Sequence, residues 1–489
     1  MSVFFSKESI VLAPQSMDRS IPSSDVDGEM IHVEVVNSLD WISKLPNDLL
    51  LKVLSKLSME EVLRTSVLSK RWVDVWKETS HLYLDMRKIA NVKTLLPEVS
   101  HQAARSVTKI IKDHRGHLEG CTIYHDSVQC EDGVFESWIQ SLVNVKHIKH
   151  LKLVNLFDRL DSVTRSNVTL DLPPKSFSHP DLISLFLDEY NLEAPHAFYS
   201  CWSLKDLRLI DISAETEVFN AVLVSCPSLE VLALRISCHK NSGTLKIENH
   251  NLKFLFLSCL EIEGLNVSSP NLDILSIGYL SCTEENCATA SPSLHSHRNY
   301  WAAGHCFAHT SYNISCPRQG EKSIAHEVML SGFDYCMKML AIMSVSVDLT
   351  NAKEVEMLRE VLAAWPEPMG KLEILLKGNN TAREESESSI EITRSMLWEE
   401  TKPFPNAQFR VYSVWLSNFS GSREEFALAS SMITHGTVIN VMMIRPSSPS
   451  TTNKSKIKAG IAKLKKLPKC HKYLNITCSD QDLVEPSLW

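Results

Sequence analysis

A chain of 489 residues exceeds the roughly 250–300 at which single cores stop growing, so two to four domains are expected. A hydrophobic share of 44% with 22% charged residues excludes wholesale disorder, and a net charge of −8 argues against phosphate-driven nucleic-acid binding. No apolar run approaches a membrane span, no signal pattern opens the chain, and thirteen cysteines occur without a CxxC pair; protein partners, no membrane, free buried thiols and a cytoplasmic or nuclear location are expected.

Residues 1–38 mix Ser, Asp and Pro without a sustained period and read as a flexible leader. From Leu45 runs LPNDLLLKVLSKLSMEEVLRTSVLSKRWVDVW. Leu49, Leu50, Val53, Leu54 and Leu57 stand at helical spacing, with Pro46 tolerated in the first turn, which predicts a short helix. Ser58 and Glu61 have capping-box spacing and predict the start of a second. Its apolar positions Val62, Leu63, Val67, Leu68, Trp72 and Trp76 cover more surface than so small a segment can hide within itself.

The middle of the chain repeats LxxLxL, with occasional Ile, at Ile148-Leu151-Leu153, Leu182-Leu185-Leu187, Leu204-Leu207-Leu209, Leu229-Leu232-Leu234, Leu252-Leu255-Leu257 and Leu272-Leu275-Ile277. A seventh unit is expected at Leu340-Met343-Val345. Such units stack because none can bury its own apolar face, which predicts short strands with their leucines pointing inward. The flanking positions then point the other way: Lys152, Phe186, Arg208, Ala233, Phe256 and Ser276, with Asp188, Asp206, Arg235 and Phe254 beside them. Phe186, Arg208, Arg235, Phe254 and Phe256 are the candidate target-binding residues, since exposed aromatics beside arginines are what interfaces use as anchors. The opposing expectation is that the insertion or the C-terminal region covers these rings.

An interruption at about 281–335 holds Cys282, Cys287, His295, His297, His305, Cys306, His309 and Cys316. Only His305 and His309 keep a familiar zinc interval, so an insertion loop is the preferred reading and no metal site is assigned. Residues 378–402, rich in Glu and Ser, read as a surface linker. Further on, a strand, a turn through Gly421-Ser422, a helix from about Arg423 and a strand at Val438 to Ile444 are expected. The basic run Lys454–Lys472 is read as the solvated face of a last helix rather than a nuclear signal. Gly is only 15 of 489, and no GxGxxG, GK[ST], HExxH or GxSxG occurs, so no catalytic residue and no cofactor are assigned.

The string Leu45 to Trp76, above all SVLSKRW at Ser66–Trp72, resembles the plant F-box signature, departing from it in having Asn47 where an acidic residue is common. The phrases CPSLEVLAL, SPNLDILSI and HPDLISLFL resemble plant F-box leucine-rich repeats, and VEMLREVLAAWPEPMGKLEILLKG with the strings after it resembles the FBD region. The resemblance implies an α+β, α/β solenoid class. A helical F-box at 39–85 is followed by a leucine-rich repeat solenoid at 86–345 and an α/β FBD-like extension at 346–489. It further implies docking of a Skp-type adaptor, and through it a cullin, with Leu45, Pro46, Leu54, Leu57, Leu63, Val67, Leu68 and Trp72 either at that contact or in the core behind it. The chain would then be a non-catalytic receptor of a ubiquitin ligase that holds an unknown target protein. A repeat scaffold without a ligase and a zinc-dependent enzyme are the alternatives.

Overall fold

The computed structural model describes residues 45–478, leaving aside 56, 66–67, 69–70, 93–96, 157–167, 239–242, 281–286, 290–308, 316–322, 332–341, 366–367, 378–402 and 448–450. The first expected helix is Asn47–Leu54, and the second is divided into Met59–Thr65 and Trp72–Val75. Ser58 and Glu61 cap it as their spacing predicts: the Ser58 N–H donates to Glu61 Oε2 at 2.8 Å, and the Glu61 N–H to Ser58 Oγ at 3.5 Å.

The strands follow in chain order. They are β1 (His81–Asp85), β2 (Gly120–His125), β3 (His150–Asn155), β4 (Ser184–Asp188), β5 (Asn191–Leu192), β6 (Asp206–Ala214), β7 (Val231–Cys238), β8 (Thr244–Glu248) and β9 (Phe254–Leu260). After them come β10 (Gly264–Ser268), β11 (Ile274–Leu280), β12 (Cys287–Thr289), β13 (His309–Asn313), β14 (Ile342–Val347), β15 (Met369–Leu376), β16 (Val411–Phe419), β17 (Val438–Pro446) and β18 (Asn475–Cys478). One sheet runs β1-β2-β3-β4-β6-β7-β9-β11-β13-β14-β15-β16-β17-β18, with β5 on the flank of β6, while β8, β10 and β12 form a small parallel sheet. Each LxxLxL unit contributes one strand, and the register aligns the repeats: Leu151, Leu185, Leu207, Leu232, Leu255 and Leu275 sit side by side. All six are buried, as alternation on a covered face requires. The seventh unit is β14, with Met343 and Val345 fully buried.

Along the sheet every described pairing is parallel except one, β11 with β13. This reversal turns the protein over. A β-crossover-β unit is right-handed in nearly all proteins. If strand direction flips while the chain keeps advancing the same way along the sheet, right-handed connections have to move to the other face. The register records the outcome. Tyr312 in β13 lies opposite Ile274, which is aligned with Phe254 and Val231. Tyr312 continues through Val345, Ile374, Leu416 and Ile444. The apolar side of the second half is therefore the face opposite the repeat leucines. Helices Ile324–Leu330, Ala352–Ala363, Arg423–Thr434 and Thr451–Lys466 cover it with Val328, Leu358, Leu428, Ile461 and their neighbours in one continuous core. The last helix begins and ends a few residues before the basic run that predicted it. The exchanged face is polar: His309 Nε2 bonds Ser344 Oγ at 2.9 Å, Glu373 accepts from Ser344 and Ser417, and Lys371 Nζ stands 3.3 Å from the centre of the Trp415 ring.

The F-box helices are fused to the sheet. Helix Met59–Thr65 packs on β1, His114 Nε2–H donates to the Thr79 carbonyl at 2.7 Å, and the Arg115 and Gly116 N–H groups donate to the Lys77 carbonyl. Gly116 approaches so closely that an added Cβ would lie 2.7 Å from Glu78 Cα. Backbone meets backbone there and neither side can swing away. Gly116→Ala is therefore expected to destabilise the protein by about 1–3 kcal/mol. Chemical denaturation checks it, and an unchanged midpoint would mean that the junction gives way freely.

Behind the first strands, His125 is fully buried between Phe135, Trp138 and Tyr190. Its Nδ1–H donates to the Asp126 carbonyl at 2.7 Å and its Nε2 accepts from the Tyr190 hydroxyl at 2.6 Å. Burial holds its pKa down to about 4, against an ordinary 6.5. The folded chain thus resists a proton that the unfolded chain accepts. Stability from this group is complete above pH 6.5 and drains away as pH falls toward 4, by about 2 kcal/mol between pH 7 and pH 5. Denaturant titrations at those two pH values should show the drop, and His125→Gln should flatten it.

Candidate functional site

Two faces stand out. The first is on the F-box helices. In helix Asn47–Leu54, Leu50 and Leu54 turn inward and are at most 1% exposed, whereas Leu49 and Val53, one residue earlier in each case, are 43% and 45% exposed. With Leu68 at 57% and Val73 at 43% they present large aliphatic side chains to water. The inner layer is Leu50, Leu54, Met59, Val62, Trp72, Val75 and Trp76. Asn47 accepts from Arg71 Nε at 3.0 Å, which ties the start of the first helix to the start of the Trp72–Val75 helix. The amide at the position where an acidic residue is common therefore has a structural partner.

The residues expected at the adaptor face divide accordingly. Pro46 and Leu68 are exposed; Leu45, Leu57 and Leu63 are half-buried; Leu54 and Trp72 lie in the inner layer; Val67 is outside the described residues. Leu49, Val53 and Val73 were absent from that expectation. The i, i+4 spacing of Leu49 and Val53 was visible, but which of two adjacent leucine stripes faces outward depends on the third helix.

The second face is the side of the repeat sheet opposite the leucines. Over β1 to β6 it is open and carries His81, His150, Ser184 and Asp206 in one row, and Tyr83, Thr122, Lys152, Phe186 and Arg208 in the next. These side chains and Leu54, Leu57, Met59 and Val62 of the F-box line a groove of about 550 Å³. Lys152 Nζ lies 4.3 Å from the centre of the Phe186 ring. Arg208 grips Asp206 through two hydrogen bonds of 2.8 and 2.9 Å. Arg235 grips Asp211 at 2.5 Å, because a bulge at Asp211, with φ of 50°, turns the carboxylate toward it. Burial, and then the neighbouring His81, hold the pKa of His150 below its ordinary value.

From β7 onward the same face is closed, which corrects the expectation that Phe254 and Phe256 face solvent. They are 0% and 3% exposed and share a core with Ala325, Val328 and Met329 of helix Ile324–Leu330, which packs on β9. Ala233 and Ser276 are fully buried with them, while Phe186, Arg208 and Arg235 remain partly exposed. The reason is the strand reversal at β13, which no periodicity in the repeats announces. Of the Cys/His cluster, His309 is buried and bonded to Ser344, Cys287 lies in β12, and Cys282, His295, His297, His305, Cys306 and Cys316 are outside the described residues. No helix among the described residues is long and apolar enough to cross a membrane.

A small helical unit with an exposed aliphatic patch, fused to a leucine-repeat sheet, defines the class, and the chain belongs to the plant F-box proteins with FBD-associated leucine-rich repeats. The F-box domain model matches residues 42–81, and the model described as "FBD-associated F-box protein At5g56370, LRR repeats" matches residues 135–374. Putative F-box protein At1g67390 of Arabidopsis thaliana is 42% identical, covering 95% of this chain and 96% of its own length. F-box protein At1g80960 of the same plant is 46% identical over 89% of this chain and 90% of its own. F-box protein At3g60790, also of that plant, is 42% identical over 90% of each.

Proposed function

We propose that this protein is the target-recognition subunit of an SCF-type (Skp-cullin-F-box) ubiquitin ligase, acting in the cytoplasm or nucleus. The observation that carries the reading is the exposure of four large aliphatic side chains within the F-box segment, Leu49, Val53 and Val73 on its helices and Leu68 in the turn between them. That much greasy surface calls for a partner, and a Skp-type adaptor is the partner the F-box family implies. In this reading the chain is divided as leader (1–38), F-box (39–85), leucine-rich solenoid (86–345) and FBD-like extension (346–489). Leu68 lies in the adaptor contact, Leu45, Pro46, Leu57 and Leu63 flank it, and Leu54 and Trp72 brace it from inside. In this reading the protein is no enzyme and uses no catalytic cofactor. Partners perform ubiquitin transfer, and the receptor makes an encounter between target lysine and ubiquitin carrier effectively intramolecular.

The target is held on the open face over β1 to β6, at Phe186 and Arg208, with Arg235 beside them. Aromatic and arginine side chains are the usual energetic anchors of interfaces, and these remain accessible. Phe186→Ala with Arg208→Ala is expected to lower target capture at least about tenfold while adaptor binding and thermal stability stay near wild type. Affinity purification under proteasome inhibition, compared between wild type and variant, reads both partners at once. Undiminished capture would remove the target from this face.

A further inference from the structure

The turns that precede β3 and β4 bring three metal-ligating side chains together. The strands set the frame: β3 and β4 pair Leu151 with Leu185, and the Ile183 N–H donates to the Lys149 carbonyl at 2.8 Å, so the turns that carry His147 and Asp181 lead into neighbouring strands. The third, His179, is folded back by a turn in which the Leu182 N–H donates to the His179 carbonyl at 3.1 Å. His147 has φ of 53°, a left-handed conformation uncommon outside glycine. The two rings lie 4.4 Å apart between centroids, with His147 Nδ1 only 2.7 Å from His179 Nε2, and His179 Nδ1 is 3.7 Å from Asp181 Oδ2. One donor atom from each of the three residues lies within 4.8 Å of the other two.

We propose that His147, His179 and Asp181 form a binding site for one divalent transition-metal ion of the zinc type, ligated by His147 Nδ1, His179 Nε2 and a carboxylate oxygen of Asp181. Two imidazole nitrogens and a carboxylate are the donor set that suits zinc and disfavours magnesium or calcium, which prefer oxygen alone. Nitrogens bound to a tetrahedral zinc lie about 3.3 Å apart, so the rings need to part by roughly half an ångström. His147 is exposed whereas the His179 side chain is mostly buried, so the movement falls to the His147 ring. Ligation through Nε2 takes His179 as its Nδ1–H tautomer, so the proton between the two nitrogens passes to Nδ1 in place of the hydrogen bond accepted there from the Asp181 N–H at 3.3 Å; both imidazoles stay neutral, and a fourth position is left for water. The ion joins two consecutive turns of the repeat, so it stabilises the folded chain by binding that state alone. None of the three residues belongs to the adaptor or target faces.

The test is titration of the chelator-treated full-length protein with zinc by calorimetry and with cobalt by visible absorption. One ion per chain is expected, with a cobalt spectrum lacking the sulfur-to-metal band that cysteine ligands produce, and a melting temperature raised by zinc. Exchanging His147→Asn and His179→Gln together is expected to weaken binding at least about tenfold and abolish the thermal shift, with circular dichroism unchanged. His147 and Asp181 are exposed and His179 is not, so the single variants His147→Asn and Asp181→Asn, each expected to weaken binding with folding retained, keep the test readable if the double variant loses stability. Absence of binding at several-fold molar excess, equal binding by the double variant, or a strong sulfur band would each overturn the proposal.

Discussion

Phe256→Ala is expected to cost about 3–5 kcal/mol of stability, the range for removing a buried phenylalanine from a core that relaxes only partly. Phe256 is 3% exposed, and it sits in the layer that joins the repeat strands to helix Ile324–Leu330 and the second half of the sheet. The cavity would open where strand direction reverses, so the loss should appear as a lower denaturation midpoint for the whole sheet. Target capture should fall only as far as the folded fraction falls. A variant with wild-type stability and lost capture would show that the ring is a surface anchor, and would undo the account of the face exchange at β13. Arg208→Ala is the natural comparison, since its side chain lies partly in solvent on Asp206 and its loss leaves no cavity.

Val53→Asp with Leu68→Asp should weaken adaptor binding by about 100-fold or more with little change in folding. Both side chains are close to half exposed in the free chain, so a carboxylate there stays hydrated. In a complex the same carboxylates would be buried against an apolar partner without compensation, and that desolvation penalty falls on binding alone. Leu54→Ala is expected to act differently. Leu54 is 1% exposed, and its truncation lowers stability and adaptor binding together. Adaptor affinity unmoved in the double aspartate variant, with the protein folded, would place the adaptor contact elsewhere.

The local signals in the sequence were sufficient for much of this. The Ser58–Glu61 cap, the leucine registers from β3 to β11, and the strand, Gly421 turn and helix at Arg423 are all written in short-range periodicity and turn chemistry, and Ser422 with Glu425 forms a full capping box. Period-two alternation also assigned Lys152, Phe186 and Arg208 to the face opposite the leucines. It could not say that Ala233, Phe256 and Ser276, on that same face, would be covered. Their burial follows from β13 running antiparallel to β11, a long-range choice made across residues that share no repeat pattern. Phe254 and Phe256 themselves carried a hint. A repeat whose outward positions are both phenylalanine is as apolar on its second face as on its first, the pattern of a strand covered on both sides. On the F-box, Leu49 and Leu50 are indistinguishable by residue type, and only the packing of Trp72 and Trp76 decides that Leu50 is core and Leu49 is surface.

Titration of the purified full-length chain with a plant Skp-type adaptor tests the central claim most directly. A one-to-one complex by light scattering is expected, formed by the wild type and by the Phe186→Ala, Arg208→Ala variant, and lost in Val53→Asp with Leu68→Asp. A folded wild-type chain that fails to bind the adaptor would contradict that claim.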